Sequence, residues 1–159
     1  MRKCVVLCLA AMLFVLPSYA QWGNLIKNVQ NSPLLTQQNT VRDTITRITN
    51  IKDAFTKMPL NQGKLSFIAA ALPVLNEVYT LSSGILGMFQ KNKTLDTAGS
   101  NKMNGLLGEV ENLLARQWDT APLAPSQTPE ADQKVQQTTK VLTDILTNEG
   151  GLLKALLSK

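Results

Sequence analysis

Acidic side chains are the place to look for chemistry in this chain. It contains no histidine, and its two cysteines, Cys4 and Cys8, both fall in the first eight positions. Without histidine there is no Ser-His or Cys-His nucleophilic pair. Zinc sites built on His or mature Cys ligands, haem held by an axial His, and cysteine-ligated iron–sulfur clusters are excluded on the same ground. No glycine-rich phosphate loop is present. Gly105 and Gly108 flank two leucines inside a helical pattern, without the preceding strand that a phosphate loop needs.

Among the acids, Glu109 and Glu111 stand two apart, which places them on different faces of a helix. Asp96, Asp119, Asp132 and Asp144 are isolated, and no run resembles an EF-hand loop. Glu77 is the candidate buried acid, because it is the one acid in the most apolar mature segment, and burial would raise its pKa. The competing reading puts Glu77 at the edge of its helix, facing solvent or a partner group. A carboxylate pair assembled across helices is the one route left to an enzyme, of the glycosidase kind. With so few acids on apolar faces, the expectation is a protein that is not an enzyme and that binds no cofactor or metal.

The elements that must carry these residues begin with an export signal. Arg2 and Lys3 precede the apolar run Val5 to Leu16, and Pro17, Ser18, Tyr19 and Ala20 form a break and a small-residue cleavage site. Twelve apolar residues are too few to span a bilayer core of about 30 Å. Residues 1–20 therefore read as a cleaved signal peptide and 21–159 as a single domain, exported to the periplasm or secreted. Cleavage would remove both cysteines, leaving a cysteine-free chain stabilised by packing alone. It would also remove two positive charges and lower the net charge from +5 to +3. No basic cluster concentrates the remainder, so nucleic acid is not an expected partner.

The mature chain reads as all-α. Ser32 and Pro33 make a helix start. Val41, Ile45, Ile48, Ile51, Phe55 and Met58 follow at spacings of 4, 3, 3, 4 and 3, with Pro59 as the stop. Asp43 with Arg47 and Asp53 with Lys57 are expected i,i+4 pairs. Leu65 to Phe89 is apolar on all sides and predicts a central helix surrounded by others, with Pro73 kinking it or starting a second helix. A membrane span is the sharper alternative for this segment, opposed by Pro73, Asn76, Glu77, Ser82 and Ser83. Lys91 to Asn101 reads as a loop. It contains Asn92-Lys93-Thr94, a glycosylation acceptor pattern that matters only in a eukaryote.

Met103, Leu106, Leu107, Val110, Leu113, Leu114 and Trp118 make a third stripe. Three prolines mark 121–129 as a linker. A last helix starts at Pro129, with Glu130 and Lys134 paired, and Gly150 and Gly151 interrupt it ahead of a short leucine tail. The predicted fold is an up-and-down bundle of about four main helices, in which short connections favour antiparallel neighbours.

Two functions from different classes fit this description. The first is an accessory subunit, adaptor or inhibitor that works by protein–protein interaction. Trp22, almost at the mature N-terminus, and Leu152, Leu153, Leu156 and Leu157 are its candidate contacts, with the tail as a helix-in-groove anchor. The plainer reading gives the tail leucines to the protein's own core. The second function is binding of lipid or another apolar ligand, or association with a membrane surface, with Lys154 and Lys159 beside the leucines. Long apolar stripes are also compatible with a homo-oligomer.

Overall fold

The computed structural model describes residues 33–158. The segment expected to be a signal peptide, Trp22 and Lys159 lie outside the described residues. The compact unit is Gln37–Lys159, and Pro33–Thr36 are described only as the start of the first helix. Four long helices make up the fold: α1 (Pro33–Lys57), α2 (Gln62–Asn92), α3 (Thr97–Leu114) and α4 (Thr128–Leu157). A 3₁₀ turn at Pro125–Gln127 leads into α4, and there is no β-strand among the described residues.

Each helix follows from local chemistry. α1 buries Val41, Thr44, Ile48, Ile51 and Phe55, one side chain per turn on one face. Pro59, which has no N–H to donate and restricts the residue before it, follows the end of α1. The side chain of Asn61 then accepts a hydrogen bond from the Lys64 N–H (2.9 Å) and caps α2. Pro73 lies inside α2 without dividing it. Its ring faces solvent, so water can satisfy the carbonyl that loses its helical donor.

α2 ends where Lys93 turns left-handed (φ 58°) and returns its N–H to the Phe89 carbonyl (2.8 Å). The expected loop at 91–101 is shorter than its composition suggests. Asp96 caps α3 by accepting from the Gly99 N–H (3.0 Å), so the helix begins at Thr97.

Side-chain bonds between helices show which are neighbours, because only adjacent helices can make them. α1 meets α3 through Arg47 and Glu111, and meets α4 through Lys52 and Thr143 (3.0 Å). α2 meets α3 through Glu77 and Lys102 (2.7 Å), and meets α4 through Ser82 and Asn148 (3.1 Å). The order around the bundle is therefore α1, α3, α2, α4. Each helix runs opposite to the one before it, yet α2 and α4 are parallel neighbours, as are α1 and α3. α2 and α3, joined by the short connection 93–96, are antiparallel neighbours as expected, and the parallel pairs arise because α2 stands between α3 and α4.

The core between the helices is mainly aliphatic, with an aromatic cluster at one end and Phe89 toward the other. Phe55 and Phe67 sit 5.8 Å apart, and Trp118 meets Phe67 edge-on at 6.3 Å. Trp118 is not on the third helix, as its spacing suggested. It follows the helix end at Leu114 and folds back, donating its indole N–H to the Leu113 carbonyl (2.9 Å).

Gly63 makes that fold-back fit. A side chain there would meet the Asp119 carbonyl and come within 2.7 Å of the Trp118 Cβ. The segment is also held by the Gln62 N–H donating to the Ala121 carbonyl (3.0 Å) and by the Gln62 side chain donating to that of Gln127 (2.9 Å). The expected linker 121–129 is shortened at its end by the 3₁₀ turn and the first turn of α4. Gly150 and Gly151 do not interrupt α4, which continues through them to Leu157.

Candidate functional site

The buried face of α4 is Ala131, Thr138, Leu142, Ile145, Glu149, Leu152 and Leu156. From Leu142 onward the spacing is 3, 4, 3 and 4, so Glu149 occupies a position that the pattern reserves for an apolar side chain. It is 1% exposed, and neither carboxylate oxygen has a hydrogen-bond partner. Burial pushes its pKa up from 4.5 to about 7, since taking a carboxylate out of water penalises the charged form.

The surroundings of Glu149 follow from the register of the helices. Ser82 pairs with Asn148, and Leu86 lies against Gly151, so Glu149 stands level with the Ser82–Leu86 stretch of α2. Ser82 is itself buried and is spent on its neighbours: its hydroxyl donates to the Tyr79 carbonyl (2.9 Å) and accepts from Asn148.

Glu77, the expected buried acid, is on the surface. It is exposed and ion-paired with Lys102. The buried face of α2 runs through Ala71, Leu75, Val78, Ser82, Ile85 and Phe89, and Glu77 falls one residue off it. Glu111 is held by Arg47 in a two-pronged bond, with Nε to Oε1 and Nη2 to Oε2 both at 2.8 Å. That bond draws the Glu111 pKa down and the Arg47 pKa up. Arg47 also donates to the Asn104 carbonyl (3.0 Å), and Thr44 donates to the Asn104 side chain (3.2 Å). Neither Asp43 nor Asp53 takes the i,i+4 bond expected of it: Arg47 is turned to α3, and Asp53 and Lys57 make no ion pair. The expected Glu130–Lys134 pair is formed (2.7 Å).

Lys64 is the other buried charge, 5% exposed. Its ammonium donates to the Met58 carbonyl (2.9 Å) at the end of α1 and lies 4.5 Å from the centre of the Phe55 ring. Desolvation lowers its pKa. It closes the corner between α1 and α2 rather than opening on a cleft.

The tail leucines divide by helical phase. Leu152 and Leu156 are buried in the core, Leu153 is half-buried, and Leu157 is exposed. As a surface contact, only Leu157 is fully available.

α2 carries apolar residues on its outer face as well as its buried one. By length and composition this helix could cross a membrane, yet only 33% of its most apolar window is buried. Ala69, Ala70, Pro73, Tyr79, Gly84, Gly87 and Met88 are all exposed. The expectation of a central helix covered on all sides is thus corrected, because a four-helix ring leaves every member an outer face. Two open grooves flank the first half of α2. One, of about 310 Å³, is lined by Ile68, Leu72, Pro73 and Asn76 with Lys134 and Gln137 of α4. The other, of about 300 Å³, is lined by Ala70 and Val74 with Glu109 and Asn112 of α3 and Arg116 just past its end.

Among the described residues no group of three or more acidic, His or Cys side chains is placed to hold a metal ion. Comparisons with known protein families, with curated proteins and with solved structures each find no match to this chain.

Proposed function

We propose that this is an exported binding protein that acts by protein–protein interaction, with the outer face of α2 as its contact surface. The observation that carries this reading is the outer face of α2, where Ala69, Ala70, Pro73, Tyr79 and Met88 stand exposed in the most apolar helix of the described residues. Large exposed apolar surface is retained where a partner covers it. The two grooves beside it add a polar rim from Lys134 and Gln137 on one side and from Glu109 and Arg116 on the other. An apolar centre with a polar rim is the usual anatomy of such an interface. The partner that fits is an amphipathic helix laid along α2, with its apolar side chains over the alanines and glycines and its polar edges toward the grooves.

Native mass spectrometry of the protein, recovered gently from its own exported fraction, tests this. A stoichiometric protein adduct is expected, and Gly84→Arg on the outer face should abolish it without unfolding the bundle. An adduct that survives Gly84→Arg would overturn α2 as the contact.

A lipid surface is the second reading, and the length and apolar character of α2 favour it. A lipid-sized adduct, or binding of the purified protein to anionic vesicles, would select it.

A further inference from the structure

We propose that Glu149 and the glycine pair that follows it form a proton-controlled hinge in α4. With Glu149 protonated, α4 stays packed as one helix. When Glu149 loses its proton, the helix yields at Gly150–Gly151 and frees the segment Leu152–Ser158.

Three observations converge on one place in the chain. Glu149 is buried with both oxygens unpaired, in a stripe whose other members from Leu142 to Leu156 are aliphatic. A neutral carboxyl is tolerable there, whereas an uncompensated charge is not. Next come the two residues with the least helical preference short of proline. A side chain at Gly150 would meet nothing, and one at Gly151 would meet only the tip of Leu86. Breaking the helix there lets water reach Glu149 at small backbone cost. Beyond the hinge, Leu152 and Leu156 leave the core only when this segment moves.

The charged groups around Glu149 offer it no counter-ion. On α2 the residues from Val78 to Gln90 include no charge, and Tyr79 is the only titratable one. On α1, Arg42 and Asp43 are exposed and Arg47 is committed to Glu111. On α3, Asp96 caps the helix and Lys102 pairs with Glu77. On α4, Asp144 pairs with Lys140, and Lys154 is exposed.

The pH dependence has a definite sign. Glu149 has a pKa near 7 in the packed helix against an ordinary 4.5 when open, so packing is favoured below 4.5 and weakened as pH rises to about 7. Hydrogen exchange of the 150–158 amides, corrected for the intrinsic effect of pH, is the test. Opening of this segment should increase on the order of fiftyfold between pH 5 and pH 8. It should also exceed the opening of the α2 core amides at pH 8.

Glu149→Gln should remove the increase, and Glu149→Met serves if the glutamine variant does not fold. Gly150→Ala with Gly151→Ala should suppress opening at both pH values. The hinge is overturned if 150–158 exchange no faster than α2, which would mean global unfolding. A pH-independent wild type, or an unchanged slope in the Glu149 variant, would overturn it as well.

Discussion

Glu149 is the residue at which the chain departs furthest from ordinary core chemistry. Raising its pKa from 4.5 to about 7 amounts to about 3 kcal/mol of stability that is present below about pH 4.5 and lost as pH rises through about 7, at 1.36 kcal/mol per unit. The urea midpoint of the wild type should therefore fall between pH 5 and pH 8, and that of Glu149→Gln should not. Equal slopes for the two proteins would show that other groups control the pH response. Arg47 and Glu111 make the opposite case, since both are partly exposed and well paired. A double-mutant cycle with Arg47→Met and Glu111→Gln should give a coupling of about 0.5–1 kcal/mol, discounted for solvent screening.

Glu149 was legible in the sequence and still easy to miss. Its spacing of 3, 4, 3 and 4 with Leu142, Ile145, Leu152 and Leu156 is as regular as that of α1. Reading Gly150–Gly151 as a break removes Leu152 and Leu156 from the stripe and hides the acid between them. Glu77 drew attention because its segment is apolar on average. Average hydropathy says nothing of phase, and phase puts Glu77 on the outside.

For the elements, the helices were largely legible and their ends less so. One face of α1, closed by Pro59, was plain from spacing alone. The start of α3 was not, because the cap at Asp96 lies in a polar stretch where composition argues for a loop. The place of Trp118 was hidden too, as a stripe can be continued on paper past the residue where the helix ends.

Gly63 and Gly150 show how differently two glycines can act. Gly63→Ala should destabilise by about 2 kcal/mol or more, because backbone from the 115–124 segment occupies the space of its side chain. Gly150→Ala meets nothing and should stabilise by about 0.5–1 kcal/mol through helix preference and chain entropy. Thermal unfolding of the two variants against wild type checks both signs.

For the whole molecule, the sequence told the class of fold from four stripes and could not tell the arrangement. Contacts between helices, such as Lys52 to Thr143 and Asn148 to Ser82, mark which helices are neighbours, and no local pattern announces them. That arrangement leaves α2 with two neighbours and an open side, which is why the most apolar helix became the proposed contact surface.

Site-specific photo-crosslinking in the producing cells tests that proposal most directly, with the probe at Ser83 on the outer face of α2 and, as control, at Thr49 on the exposed face of α1. One discrete protein adduct from Ser83 and none from Thr49 is the predicted result. Adducts of equal yield from both positions, or from Thr49 alone, would contradict a contact surface on α2.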